Sequence, residues 1–324
     1  MTLKVSSIQF QHRAGDKAFN LSRIDHFTDQ AARAGSELVA FPEMCITGYW
    51  HVPKLDKAGL DALAEPLSGP SMSQVAALAR DRNLAIGAGF IESDGDKLYN
   101  SYAICMPDGQ VHCHRKLHAW EHKLFSSGDR FTVFDTPWGI RAGILICWDN
   151  NLIENARATA LMGAELLIAP HQAGGGKSVS PHGMKRIPVE KWTRRYEDPA
   201  AIEAEFRGPN GREWFMRWLP SRAHDNGMFL IFTNGVGQDE DEVRTGNAMI
   251  LDPYGRIIAE TWVADDAIVS ADLDLGLLDK CTGQRWLRGR RPGLYGILTE
   301  PRPENLSPMD ARYSDTPTRK PAGQ

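Results

Sequence analysis

Gly143-Ile144-Leu145-Ile146-Cys147-Trp148-Asp149-Asn150-Asn151 opens as an apolar run and ends in residues that favour turns and helix starts. It reads as a buried strand that turns sharply into a helix. Residues 152–162 continue with helical spacing, and residues 166–169 form another apolar run between polar flanks. Strand, turn, helix and strand in succession are the unit of an α/β fold. Cys147 sits on the turn itself. A cysteine there is exposed by the turn and feels the positive end of the following helix, and both effects are expected to favour the reactive thiolate. The competing reading is a buried core cysteine, the commonest fate of a free thiol.

The same alternation extends outward on both sides. Residues 3–10 alternate as a strand, and residues 16–34 space Phe19, Ile24, Phe27, Ala31 and Ala34 along a helix that Gly35 ends. Residues 37–41 (ELVAF) form a short buried strand stopped by Pro42. A second helix is expected over 71–83 and a strand over 84–92. Residues 99–106 and 110–114 flank Pro107-Asp108-Gly109, a strong hairpin signal. Residues 131–135 and 141–146 make a similar pair. Downstream, strands are expected over 229–233, 248–251, 256–260 and 267–273. No internal repeat is visible and no composition shift cuts the chain. The expected organisation is one domain over 1–300, with 172–218 as an inserted loop region near the pocket, and a Pro-rich tail over 301–324. The insertion is polar, begins GGGKS and shows a helical pattern only near 199–206. Loops of this size are usually functional or disordered. The tail holds five prolines and reads as disordered or wrapped on a partner.

Composition excludes several classes. The 324 residues carry 37 Lys and Arg against 41 Asp and Glu, a net charge of −4, so no nucleic-acid partner is expected. The apolar runs are far shorter than the ~20 residues a membrane helix needs, so no membrane partner is expected either. The N-terminus MTLKVSSIQF lacks an apolar segment with a cleavage site. Five cysteines in a chain long enough to fold without disulfides fit a reducing compartment, and a cytoplasmic location is the expectation.

Three further segments carry chemistry. Phe41-Pro42-Glu43 puts a carboxylate directly after a buried strand, where α/β sheets present ligand-facing groups. A solvated loop glutamate would read the same way. Lys116 ends a hairpin strand in His114-Arg115-Lys116-Leu117-His118, a position usually given to a solvated lysine. Glu121 opens EHKLFSSGD and says nothing alone. His112, Cys113, His114, His118 and His122 are dense in metal-ligand types, and the last two are four apart, as on one helix face. There is no HExxH, and Lys116 would repel a cation, so no metal and no cofactor are expected.

Taken together, FPE, HRK, the Glu121 segment and CWD, in this order and spacing, resemble the nitrilase superfamily of carbon–nitrogen hydrolases. The resemblance runs over residues 3–298. It includes Arg222-Ala223-His224-Asp225-Asn226, the TNGVG segment with Asn234, the DPYG turn and Arg290-Arg291-Pro292. It implies an α/β fold, a four-layer αββα sandwich, assembled as a homodimer or higher homo-oligomer. It also implies Cys147 as nucleophile, Glu43 as general base, Lys116 as the cation at the tetrahedral intermediate and Glu121 as the group that orients the lysine. The backbone N–H of Trp148 would be an oxyanion donor. The residue types suit that chemistry. A thiol splits a hard hydrolysis into two easier steps, a carboxylate moves the protons, and a fixed cation meets the developing oxyanion.

The resemblance also bears on the bond cleaved. Nitrilases commonly carry Cys-Trp-Glu and a Pro-Thr pair before the second glutamate. Here Cys147-Trp148-Asp149 and Leu117-His118-Ala119-Trp120 stand instead, which suits amidases better. N-Carbamoyl-D-amino-acid hydrolases typically carry an arginine pair where this chain has Asn150 and Asn151. The expectation is a small-molecule amide substrate cleaved to a carboxylic acid and ammonia. Nitrile or N-carbamoyl hydrolysis is the alternative, and a non-catalytic binding subunit the non-enzyme one. Trp148, Tyr49 and His171 are the candidate pocket residues. Within 173–217, nine basic side chains face six acidic ones, an excess that could favour a substrate carboxylate. Trp192, Tyr196, Trp214 and Trp218 could line the pocket or an interface.

Overall fold

A computed structural model describes residues 1–176, 178 and 180–314. Lys177 and the tail beyond Ser314 lie outside the described residues.

The first half of the chain builds one sheet. Strand β1 (Thr2–Gln9) leads to helix α1 (Lys17–Arg33), whose first turn is capped by Asp16 accepting from the Phe19 N–H. Gly35, at φ +77°, turns the chain out of the helix into β2 (Leu38–Ala40). Helices α2 (Lys57–Leu63) and α3 (Pro70–Arg82) follow, then β3 (Ala85–Asp94), β4 (Lys97–Cys105) and β5 (Val111–Arg115). The second half builds the other sheet. It runs through β6 (Thr132–Asp135), β7 (Arg141–Ile144), a 3₁₀ turn at Cys147–Asn151, α4 (Ile153–Leu161) and β8 (Leu166–His171). Four short helices come next: α5 (Val189–Thr193), α6 (Pro199–Arg207), α7 (Arg212–Met216) and α8 (Leu219–His224). Strands β9 (Phe229–Asn234), β10 (Val236–Asp239), β11 (Glu242–Thr245), β12 (Met249–Leu251), β13 (Ile257–Glu260) and β14 (Ala267–Asp274) complete the sheets. Helices α9 (Thr282–Arg288) and α10 (Pro308–Tyr313) follow.

Both six-stranded sheets share one plan. The orders are β14-β1-β2-β3-β4-β5 and β13-β12-β9-β8-β7-β6, and the small β10-β11 hairpin stands apart. In each sheet three parallel strands are flanked by antiparallel ones. Strand alternation then sorts the core. Leu38 and Ala40 of β2 point inward to meet Ile144, Ile168 and Phe229 of the other sheet. Val39 points outward into the layer made by Ile24, Phe27 and Val75 of α1 and α3. On the opposite side, Leu167, Leu230 and Phe232 pack on Ala156, Leu219 and Ala223 of α4 and α8. The result is helix, sheet, sheet, helix: the four-layer αββα sandwich. At ~1.5–3 kcal/mol for each fully buried aliphatic side chain, these three apolar layers dominate the favourable side of folding.

The insertion 172–218 carries three short helices, α5, α6 and α7, where the sequence pattern points to one near 199–206; Trp192, Ile202, Phe206 and Phe215 each find a buried seat. The tail also holds a helix, α10, which lies on the chain's own pocket: Tyr313 meets the edge of Trp120, ring centroids 6.1 Å apart.

Candidate active site

The parallel strands end at one edge, and the candidate residues sit just beyond them, where open α/β sheets place ligands. Glu43 follows β2, Lys116 follows β5, Cys147 follows β7, and His171 ends β8. Two of these positions are sharp turns. Cys147 adopts φ +48° and Met44, next to Glu43, φ +45°, both left-handed conformations that L residues avoid at a cost of ~1–3 kcal/mol. The Glu43 turn fits because position 89 is glycine. A Cβ there would stand 2.2 Å from the Met44 nitrogen.

Glu43, Lys116 and Glu121 form one buried cluster. Lys116 Nζ donates to Glu43 Oε1 at 2.8 Å and also to Glu121 Oε1. Asn100 donates to the same Glu43 oxygen at 2.7 Å. That leaves Glu43 Oε2 buried with no hydrogen-bond partner among the described residues. Burial pushes Glu43 up to about 7, against the pull of Lys116. Burial also opposes the Lys116 charge, but Glu121 and Glu43 outweigh it and hold the lysine well above its ordinary value. Tyr49 donates its hydroxyl to Glu121 Oε1 at 3.2 Å, and the Trp120 N–H reaches Glu121 Oε2 at 3.1 Å.

Cys147 opens on the pocket beside this cluster. The expected thiolate is corrected. Withdrawal from water and the neighbouring Glu43 carboxylate raise the thiol, which outweighs Lys116 and the Gln172 backbone N–H reaching the sulfur. Burial and Glu43 thus favour the protonated thiol over the thiolate at Cys147. The other cysteines are packed rather than reactive: burial holds Cys45, Cys105 and Cys113 up at about 12.

Several residues with no individual role in the sequence reading hold this geometry. Asp149 is completely buried and accepts from the N–H groups of Ile146, Leu117 and His118. His114 Nε2 and His118 Nδ1 lie 3.4 and 3.0 Å from its oxygens. One carboxylate thus ties the lysine segment to the nucleophile turn. Its pKa stays well below the usual carboxylate range because the hydrogen bonds from both histidines overcome burial. Arg222 donates to the carbonyls of Asn150 and Asn151 from below. Gln172 donates to the Glu43 carbonyl at 2.9 Å. Asp149 directly follows Cys147-Trp148, which was its only sequence signal.

The metal-ligand types of the 112–122 segment do not converge. His112 stacks on Phe134, His114 and His118 serve Asp149, and His122 Nε2 lies 3.1 Å from the Leu55 carbonyl. Residues 118–122 form turns rather than a helix. Among the described residues no group of three or more His, Cys, Asp or Glu side chains is placed to hold a metal ion.

Above Cys147 lies a cavity of about 430 Å³. Tyr49, Trp148 and His171 all line it, with Trp50 and Trp120. Burial drives His171 down to about 3, so its ring is neutral, stacked on Trp218 and 3.3 Å from Asn150 Nδ2. The insertion supplies Trp214 and Trp218 to the wall, while Trp192 packs on Phe206 and Tyr196 is exposed. Four of the nine basic side chains of the insertion are held in ion pairs among the described residues. Arg186 pairs with Asp241 and Glu242, Lys191 with Glu205, Arg194 with Glu197 and Arg212 with Glu260.

A sandwich that gathers a cysteine on a strained turn, a buried lysine and two glutamates at one sheet edge has the apparatus of a thiol hydrolase. The carbon-nitrogen hydrolase family model matches residues 4–282, and the chain belongs to that family. The protein is a carbon–nitrogen hydrolase. It is 32% identical over 303 residues to an (R)-stereoselective amidase of a Pseudomonas species, covering 92% of this chain and 95% of that one. It is 27% identical to the N-carbamoylputrescine amidase of Arabidopsis thaliana, covering 91% and 94%. In structure it is similar to an amidase of the nitrilase superfamily from Nesterenkonia AN1, with a TM-score of 0.68 at 21% identity, covering 91% and 97%.

Proposed function

We propose that the chain hydrolyses a primary amide to a carboxylic acid and ammonia through a thioester on Cys147. The observation that carries this reading is the unpartnered Glu43 Oε2, buried beside the thiol while Lys116 holds the other oxygen. As Sγ attacks the amide carbon, its proton passes to Oε2. The carbonyl oxygen becomes an oxyanion facing Lys116 and the Trp148 N–H. Collapse breaks the carbon–nitrogen bond, and Glu43 returns the proton to the departing ammonia. Glu43 then takes a proton from water, whose oxygen attacks the thioester; the carbon–sulfur bond breaks, and Glu43 passes that proton to the departing sulfur, freeing the acid and restoring the thiol. Glu121 keeps Lys116 oriented, and Trp148, Tyr49 and His171 shape the pocket. The relatives named as amidases support amide over nitrile.

The test is a panel of primary amides, N-carbamoyl acids and nitriles, read by ammonia release and by intact mass after rapid acid quench. Primary amides should release ammonia and leave an acyl adduct on Cys147. No adduct and no ammonia from any primary amide would end this reading. The pH profile follows from Glu43. Only its carboxylate form accepts the thiol proton, and that form is lost as pH falls through about 7. Activity (kcat/KM) should therefore decline on the acid side with a midpoint near 7; a flat profile between pH 6 and 8 would remove Glu43 as the base.

We also propose self-association through the face of α4, α9 and the turn at Gly296–Leu298, supported by the exposed Ile153, Trp286, Ile297 and Leu298. Among the described residues no helix is long and apolar enough to cross a membrane. The five free cysteines support a cytoplasmic site of action.

A further inference from the structure

The pocket wall opposite the sheet edge comes from the β10-β11 hairpin, and it carries an arginine with unused donors. Arg244 is only 2% exposed. Its Nε donates to Asp239 at 3.0 Å, and its Nη1 donates to the Gln172 carbonyl at 2.9 Å and to Glu242 at 3.3 Å. The guanidinium lies over Tyr49 and Trp50, 5.1 and 5.0 Å from their ring centroids. Nη2 is buried with no hydrogen-bond partner among the described residues, and Arg244 lines the substrate cavity. A buried guanidinium donor left unpaired is costly, so an acceptor from the ligand is the natural partner.

The surroundings choose the acceptor. A carboxylate is best held by the two-pronged fork of an arginine, but here Nε and Nη1 are occupied and one nitrogen remains. Glu242 lines the same cavity, and a second carboxylate would sit beside it. Its Oε1 lies 3.1 Å from Arg186 Nε, and neither atom makes a hydrogen bond. A cationic group would face Arg244 itself and Arg312, whose guanidinium stands 4.8 Å from the Trp120 ring at the mouth. The space between is walled by Trp50, Trp120 and Trp214, which suits a flat apolar body.

We propose that Arg244 is a specificity-determining residue whose Nη2 receives a neutral oxygen acceptor on the far end of the acyl group. The substrate class is then an uncharged amide with a flat apolar body ending in a hydroxyl, ether or carbonyl oxygen. This rests on the amide reading only for the reacting end. Gly174 belongs to the device: a Cβ there would meet Arg244 Nη1 at 2.5 Å and Glu242 Oε2 at 2.8 Å.

The experiment uses 3-phenylpropanamides carrying methyl, hydroxymethyl, carboxylate or aminomethyl groups at the meta or para position. Dissociation constants are measured on the Cys147→Ala protein, and ammonia release on the active enzyme. At one of the two positions the hydroxymethyl amide should bind roughly tenfold to a hundredfold more tightly than the other three. In Cys147→Ala/Arg244→Lys, which keeps the charge but removes Nη2, that ratio should fall to near one. Tightest binding of the carboxylate or the aminomethyl amide, no preference at either position, or a preference that survives Arg244→Lys would overturn the inference. The ligand comparison with Arg244 intact stands alone should the lysine variant not fold. A hydroxymethyl preference without ammonia release would uphold Arg244 and sink the amidase reading instead.

Discussion

Cys147→Ala is expected to lose at least ~10⁴-fold in ammonia release while keeping its fold, since removing a nucleophile dismantles the whole covalent route. Two features make the expectation specific. The sulfur is the atom on which the Glu43 carboxylate and the Gln172 N–H converge, and the turn that presents it is strained at φ +48°. Alanine keeps that strain, so the melting temperature should barely move. Cys147→Gly relieves it and should gain ~1 kcal/mol of stability while being equally inactive. Ammonia assays and thermal melts of the two variants check this. Activity within tenfold of the native rate in either one would exclude the thioester route.

The second large effect is on Lys116. Its ammonium bridges Glu43 and Glu121, and all three side chains are almost fully buried. Lys116→Met leaves two carboxylates facing each other without a cation. Breaking a buried ion pair by removing one partner costs ~3–5 kcal/mol, and on the proposed mechanism losing the cation that faces the oxyanion costs at least ~10²-fold in rate. The stability loss should depend on pH with a definite sign. Lys116 pulls the Glu43 pKa down, so its removal lifts that pKa above about 7, while an unfolded glutamate stays near 4.5. The folded variant therefore holds a proton that the unfolded chain has released, and its stability falls as pH rises through that window. The deficit against the native protein should be smallest near pH 5 and largest near pH 8. Urea melts at both pH values measure it. Equal stability of variant and native protein at pH 8 would show that the cluster is not held by charge. Lys116→Met/Glu121→Gln should recover stability and not activity.

Much of the sandwich was legible because its strands and outer helices obey simple periods. Leu38–Ala40, Leu166–His171 and Phe229–Asn234 are apolar runs bounded by breakers, and α1 shows its buried face at helical spacing. Within the insertion only α6 was legible, as the helical pattern near 199–206. The insertion's apolar residues are isolated anchors, such as Phe206 and Phe215, separated by charges that pair only once the chain has folded. The β10-β11 hairpin was invisible for a related reason: Asp239, Glu242 and Arg244 read as surface charge, yet they are buried because they neutralise one another. In the site, the residue types of Glu43, Lys116, Glu121 and Cys147 were suggestive only together. Asn100, Asp149, Gln172 and Arg244 act through partners far away in sequence, which no local pattern encodes.

The absent side chain at Gly89 has a consequence for how such an enzyme changes its diet. The turn carrying Glu43 rests backbone against backbone on β3, so the height of the acid above the sheet is set by main-chain packing that no side-chain exchange elsewhere adjusts. The cavity walls are a different kind of construction. They are of mixed origin: Trp50, Trp120 and Trp148 stand on loops and turns beside the reactive cluster, while Trp214, Trp218, Glu242 and Arg244 come from the 172–218 insertion and the β10-β11 hairpin, outside the two sheets. Part of the wall can therefore vary without moving the Glu43 turn: Trp214 is a position to exchange, and position 89 is one to leave alone.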